Sequence, residues 1–283
     1  MRSWLFVPCD SERKISKAMS SNADVVILDL EDSVAPENKP QAREILQEFL
    51  SNRPETTSQI YVRVNPLDSG LTQLDIQATI THQPDGFMLP KTNSGSDVKQ
   101  FASSLKAQLP IIAPIIAIAT ETATSLFNLG TYGDLNANLN AMTWGAEDLS
   151  NALGATAARD DAGALTEPYR MARNLCLAGA RAAMVEPIDS VYTNFKDPDG
   201  LRAESQAAAR DGFSGKMAIH PNQVEIINHV FTPSTVEIEQ AKMVVSAFQQ
   251  SDNKGVVAID GKMFDIPHLK RAQKLLARAA LYS

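Results

Sequence analysis

Met142-Thr143-Trp144-Gly145-Ala146-Glu147-Asp148-Leu149-Ser150-Asn151-Ala152-Leu153-Gly154 is the stretch from which the fold is read. The apolar run Ala141 to Trp144 has the character of a buried strand. Gly145 breaks it, two carboxylates follow, and Leu149 and Leu153 open a helical pattern. A strand turning at once into a helix, with acids at the turn, is one β/α step. An earlier run, Ile115-Ile116-Ala117-Ile118-Ala119-Thr120-Glu121, ends in the same manner. The expectation is that these two strand ends share one metal ion.

Outward from this stretch the same step recurs. Apolar strands are predicted at Trp4–Pro8, Asp24–Asp32, Ile60–Asn65, Asp85–Lys91, Pro110–Thr120, Ala182–Asp189 and Gly215–Pro221. Helical patterns follow each: Ser11–Met19, Pro36–Leu50, Leu71–Ile80, Ser96–Leu109, one beginning at Ala123, Pro168–Ala180, Leu201–Arg210 and Val224–Val230. Eight units without a linker predict an α/β fold, a closed (β/α)8 TIM barrel, over the alternative doubly wound sheet. The barrel domain is assigned to residues 1–232. Residues 233–283 are read as a C-terminal helical arm that packs on an adjacent subunit.

With 283 residues and a net charge of −7, the chain has room for a large core and lacks the basic balance of a general nucleic-acid binder. Cys9 and Cys176 form no CxxC pattern, so neither a disulfide framework nor a zinc site is expected, and Cys176 is read as core. No apolar run reaches bilayer length and the first strand begins without a signal segment, so a cytoplasmic protein without a membrane partner is expected.

In such a barrel the site lies at the C-terminal ends of the strands. Those ends carry Asp29, Glu31 and Asp32; Arg63 and Asn65; Lys91; Glu121; Glu147 and Asp148; Asp189; and His220. Glu121 and Asp148 come from neighbouring strands, and two carboxylates completed by water and substrate oxygens suit Mg²⁺. The plainer alternative is that each caps the helix after it. Glu147 competes with Asp148. Arg63 suits a substrate carboxylate or an ion pair with Glu31 or Asp32. Lys91 has a Schiff-base reading and an ion-pair reading. His220 is a base or a hydrogen-bonded structural group, and Arg13, Lys14 and Lys17 are a solvated face or a phosphate attractor.

Several motifs in order then carry a resemblance. They are Arg2-Ser3-Trp4-Leu5-Phe6-Val7-Pro8, Val26 to Val34, Val62-Arg63-Val64-Asn65-Pro66 and Leu89-Pro90-Lys91. Trp144-Gly145-Ala146-Glu147-Asp148-Leu149, Gly215 to Pro221 and Asp260 to Asp265 complete the set. From end to end the chain resembles the citrate lyase β-subunit-like (CitE-like) acyl-CoA lyases of the HpcH/HpaI aldolase superfamily. The resemblance implies a homotrimer or higher multiple, Mg²⁺ and a CoA or acyl-carrier thioester. By position, Glu121 and Asp148 would be the metal ligands, with Glu121 also beside the substrate, and Arg63 would hold the keto-acid end. Phe6, Arg13, Lys17, Ile219 and His220 match CoA-contacting positions. Asp265 matches an acid/base that enters from the adjacent subunit. Cys9 stands where relatives commonly have Gly, which implies a thiol narrowing the entrance for the thioester arm.

The expected reaction is reversible Mg²⁺-dependent carbon–carbon cleavage of a 3-hydroxy-3-carboxyacyl-CoA, of citramalyl-CoA or malyl-CoA type. The products would be an acyl-CoA such as acetyl-CoA and a keto acid (pyruvate, glyoxylate or oxaloacetate). The alternatives are a citrate lyase β subunit in a complex, a non-catalytic CoA-binding scaffold, and a Schiff-base aldolase. The lack of a long C-terminal extension argues against a thioester hydrolysis step.

Overall fold

A computed structural model describes residues 1–109, 111–133, 135, 138–251 and 255–282. Eight strands run parallel in sequence order: β1 (Ser3–Pro8), β2 (Val25–Asp29), β3 (Gln59–Arg63), β4 (Gly86–Leu89), β5 (Ile115–Ile118), β6 (Leu139–Thr143), β7 (Glu186–Asp189) and β8 (Gly215–Ala218). Pairing of β1 with β8 closes the barrel. Its helices are α1 (Glu12–Met19), α2 (Lys39–Ser51), α3 (Thr72–Gln77), α4 (Gly95–Lys106), α5 (Ala146–Leu153), α6 (Glu167–Ala182), α7 (Pro198–Asp211) and α8 (Val224–Phe231). The (β/α)8 barrel read from the sequence is therefore the fold.

Successive strand side chains point to opposite faces, so every second residue lines the inside. Trp4, Val25, Ile27, Tyr61, Met88, Ile116, Ile118, Ala141, Ile188 and Met217 form that interior. Burial of each large apolar side chain contributes about 1.5–3 kcal/mol. Trp4 meets Tyr61 edge-on at 5.4 Å between centroids. Gly86 makes room for this pair, since a Cβ there would lie 2.1 Å from Tyr61 Cε1. Two residues beyond Trp4, Ile27 and Tyr61 stand Phe6, Asp29 and Arg63, so the inner face turns polar at its C-terminal end.

Three local expectations are corrected. The run Ala182–Val185 is not strand: Ala182 ends α6, and Val185 N–H closes back on Ala180 O. Apolar residues in a helix's last turn look like a buried strand in sequence. Between β5 and β6 the chain makes two short 3₁₀ turns, Thr124–Phe127 and Leu129–Tyr132, rather than an α-helix. The fifth strand is limited to Ile115–Ile118, and Pro110, where it was expected to begin, lies outside the described residues.

Contacts divide the chain into Met1–Asn228 and a second unit from His229. The second unit contains α9 (Thr235–Gln250), an antiparallel hairpin of β9 (Val256–Ile259) and β10 (Lys262–Asp265), and α10 (Ile266–Ala279). Ala241, Val244, Phe248, Val257 and Ala272 form its own small core. Among the described residues no helix is long and apolar enough to cross a membrane.

Candidate active site

The mouth of the barrel is built around Arg63. Its position opposite Asp29 follows from the β2–β3 register, which pairs the two residues directly. Asp29 takes the Nε/Nη2 edge of the guanidinium in a bidentate pair at 2.7 and 2.6 Å. Nη1 lies 2.9 Å from Glu31 Oε2, and the guanidinium sits 4.7 Å from the centroid of the Phe6 ring. Burial alone would weaken the charge of Arg63, but Asp29 and Glu31 outweigh it and secure the cation. Burial would likewise raise Asp29, yet Arg63 and hydrogen bonds from Ser33 and the Glu31 N–H hold it below its ordinary value. Asp29 therefore fixes the Nε/Nη2 edge of Arg63, while the Nη1/Nη2 edge faces Glu31, close to it but without a hydrogen bond.

Lys91 ends the fourth strand in a left-handed backbone conformation (φ 52°), uncommon for a residue with a side chain. This turn lets its N–H donate to Glu121 Oε2 at 2.5 Å. Its ammonium lies 2.5 Å from Glu31, 3.0 Å from Asp32 and 3.5 Å from Asp148. Burial would lower its proton affinity, but the three carboxylates more than reverse that, so Lys91 holds its proton. A Schiff base needs a neutral amine. Of the two readings of Lys91, the ion pair is the one observed.

Glu121 is almost wholly buried, at 4% exposure. Burial, with the charges of Glu31 and Asp148, pushes its carboxyl up to about 8, against the Lys91 N–H and Arg63. Gly145 presses on it: a Cβ there would lie 2.8 Å from Glu121 Cγ. Asp148 stands in the first turn of α5, half-buried and directed at Lys91, whereas Glu147 is exposed. No side chain caps α5 at Gly145, so capping does not account for Asp148.

These residues fit a divalent cation. Five carboxyls (Asp29, Glu31, Asp32, Glu121 and Asp148) outnumber the side-chain cations around them, Arg63, Lys91 and, behind Asp29, Glu31 and Asp32, Lys39. Glu31, its carboxyl raised by burial, has an Oε2 that is near Arg63 Nη1 but makes no hydrogen bond. Among the described residues no three His, Cys, Asp or Glu side chains form a ready metal cage. Two carboxylates with water and substrate oxygens are the arrangement a hard, hydrated cation accepts.

Other strand-end residues lie elsewhere. Asp189 was expected at the mouth, but Ile188 occupies the inner face, and Asp189 points to the helix side. There it accepts from Trp144 Nε1 (2.8 Å), Arg173 Nε (3.1 Å) and the fully buried Lys216 Nζ (2.7 Å). Asn65 is likewise turned away, held by Asp75 and Lys39. Cys9 is wholly buried, with its thiol raised by burial, so it does not narrow an entrance. Arg13 and Lys17 are exposed on α1. Ile219 is 40% exposed, and His220 stacks on Phe195, which the sequence reading passed over. Asp265 lies in the second unit, where it caps α10 by accepting from His268 N–H. Its side chain also pairs with the His268 ring, which lowers its proton affinity.

A charged mouth on a (β/α)8 barrel, with paired buried carboxylates and a clamped arginine, defines a class of barrel enzyme that handles an oxyanion beside a cation. Comparison with known proteins narrows the class. The sequence profile described as HpcH/HpaI aldolase/citrate lyase matches residues 2–221. A (3S)-malyl-CoA thioesterase of Cereibacter sphaeroides is 36% identical over 280 residues, covering 98% of this chain and 94% of that one. The mitochondrial citramalyl-CoA lyase of Mus musculus is 33% identical over 294 residues, covering 98% and 86%. A crystal structure of CitE from Mycobacterium tuberculosis, in complex with magnesium, acetoacetate and coenzyme A, superposes with a TM-score of 0.83 at 32% identity, covering 99% and 98%. The chain belongs to the HpcH/HpaI aldolase/citrate lyase family, and with it to the carbon–carbon lyases. The thioesterase relative is nearly the same length, so length does not argue against hydrolysis as the sequence reading held.

Proposed function

We propose that this protein is a Mg²⁺-dependent lyase that reversibly splits a 3-hydroxy-3-carboxyacyl-CoA, of citramalyl-CoA or malyl-CoA type. The products are an acyl-CoA such as acetyl-CoA and a keto acid: pyruvate, glyoxylate or oxaloacetate. The observation that carries this reading is buried Glu121, held by Lys91 N–H beside Asp148 and Arg63 in one mouth. Support comes from relatives named for citramalyl-CoA and malyl-CoA, and from the magnesium, acetoacetate and coenzyme A in the CitE complex.

Glu121 and Asp148 would hold the cation. Bound there, Mg²⁺ supplies Lewis-acid polarisation of the keto-acid carbonyl. Through the Nη1/Nη2 edge that faces Glu31, Arg63 binds the keto-acid end and stabilises negative charge on its oxygen. Asp29 keeps that edge oriented. In the condensation direction Asp265 takes the proton from the acyl α-carbon. The resulting carbon nucleophile forms the new carbon–carbon bond, and the keto oxygen gains a proton to become the hydroxyl. Cleavage is the reverse. His268 keeps Asp265 in the carboxylate form that condensation needs. Asp265 serves the mouth of a neighbouring copy in a homotrimer or higher multiple.

The test is incubation with Mg²⁺ and either citramalyl-CoA or malyl-CoA, with acetyl-CoA and keto acid measured separately. Equal appearance of both products is expected, and no turnover of any such thioester overturns the reading. Release of free CoA and hydroxy acid without keto acid selects the second reading, a thioesterase, which the Cereibacter relative's name favours.

A further inference from the structure

Behind the mouth, α2 begins at Lys39, whose side chain turns back over the loop that follows β2. Its ammonium donates to Leu30 O at 2.8 Å, to Glu31 O at 3.0 Å and to Asn65 Oδ1 at 2.6 Å. An ammonium has three donors, so all of them are spent inside the protein. A cation partly withdrawn from water is costly unless its donors are met, and here each is met by an oxygen of the loops after β2 and β3. The acceptors belong to one network. Asn65 Nδ2 donates to Leu30 O at 3.0 Å and to Asp75 Oδ2 at 2.7 Å, and Asn65 N–H donates to the same Asp75 oxygen. Asp75 is wholly buried and accepts from Arg43 Nε at 2.8 Å. Lys39 and Arg43, one turn apart on α2, thus fasten the two loops to each other from the helix side.

The fastening fixes Glu31. Its N–H donates to Asp29 Oδ1, and its carbonyl accepts from Val34 N–H and from Lys39. With the backbone gripped on both sides, the Glu31 carboxyl meets the Lys91 ammonium at 2.5 Å. Asp32, next in the same loop, meets that ammonium at 3.0 Å, and Asp148 of α5 stands third at 3.5 Å. Two of the three carboxylates that hold Lys91 therefore sit on the loop that Lys39 ties down. The third is a ligand in the cation reading.

We propose that Lys39 is a positioning residue: by tying down the loop after β2 it keeps Lys91 on Glu31 and Asp32, and so leaves Asp148 to a divalent cation. This inference rests on the cation reading above and deepens it. When the loop is loosened, the Lys91 ammonium moves onto Asp148 and competes there with the metal, because like charges at one carboxylate repel. Lys39 touches no reacting atom and acts only through Glu31, Asp32 and Lys91.

The experiment is calorimetric titration with Mn²⁺ of four proteins: the parent, Lys39→Met, Lys91→Met and the double variant. Lys39→Met is expected to raise the Mn²⁺ Kd about tenfold, the size of a typical coupling between residues of one network. In the Lys91→Met background the same substitution should change nothing, since the competing ammonium is gone. A merely structural role would weaken Mn²⁺ by the same factor in both backgrounds. That result, or no weakening in either, overturns the proposal. Where Lys39→Met does not fold, Lys39→Arg takes its place with the same pattern expected: it keeps the charge, but a planar fork does not set one donor on each of three converging oxygens. Amide exchange of residues 30–34 reads the tie without metal. Faster exchange in Lys39→Met supports the proposal, and unchanged exchange overturns it. A parent that binds no Mn²⁺ overturns the cation reading and this inference together, whereas a parent that binds it, with equal effects in both backgrounds, overturns this inference alone.

Discussion

Glu121 shows what burial does to a single carboxyl. Its ordinary value is 4.5, and the folded chain raises it to about 8. Between those values the folded state holds a proton that the unfolded chain has released. Stability from Glu121 is therefore complete below pH 4.5 and is lost as pH rises through 8. Each unit of that window costs at most about 1.4 kcal/mol. In EDTA, the urea midpoint should fall from pH 5 to pH 8, and Glu121→Gln should flatten part of the slope. Glu31, also raised by burial, adds a trend of the same sign, so the difference between the two proteins is the quantity to read. Equal slopes would show that Glu121 is charged throughout. Arg63 supplies the second residue-scale prediction. Asp29→Asn keeps the volume but removes the charge that holds one edge of the guanidinium. We expect kcat to fall about 10- to 100-fold as the arginine loses its aim, a misplacement cost familiar for groups one step from the chemistry. An unchanged kcat would show that Glu31 and Phe6 suffice to hold it.

At the scale of elements, the turn from β6 into α5 couples the two strand ends. Gly145 has an extended backbone (φ −123°, ψ 123°) that any residue adopts, so its small size is a matter of space. Gly145→Ala drives a methyl into Glu121. Overpacking of this kind costs about 1–3 kcal/mol. Mn²⁺ binding, read by calorimetry, should weaken along with the melting temperature. A lowered melting temperature with undiminished metal affinity would detach Glu121 from the cation site. Behind the same turn, Lys216 sits fully buried between Asp189 and Glu204. Lys216→Met leaves Asp189 with Arg173 and Trp144 alone, and breaking a buried pair by one partner costs about 3–5 kcal/mol. Denaturant unfolding measures that loss, and a change under 1 kcal/mol, about the worth of an exposed pair, would mean the network is already screened.

For the whole molecule, the barrel was legible because its period is coarse: a strand, a polar turn and a helix, repeated until β1 meets β8. What each strand-end residue faces was not. A barrel strand is buried on both sides, so its sequence is apolar throughout and alternation fails to mark inside from outside. Asp189 and Asn65 were read into the mouth for that reason, and both point to the helices. The Asp29–Arg63 pair, 34 residues apart, exists only through strand register. The stacking of Phe195 on His220 escaped because one aromatic in a polar loop has no period. Asp265 was reached through resemblance alone, since nothing in the spacing of Asp260 to Asp265 marks a loop aspartate as chemical. The role proposed for it would make the assembly part of the site, and that is testable. Glu121→Ala and Asp265→Ala should each abolish cleavage when expressed alone. If Asp265 serves a neighbouring copy, co-expression places an intact Asp265 beside an intact Glu121 in about a quarter of the sites of a randomly mixed ring. Activity should then return to about that fraction of the parent, and the mixed oligomer should be isolable with two distinct affinity tags. A tagged hybrid that remains inactive would mean each chain completes its own mouth.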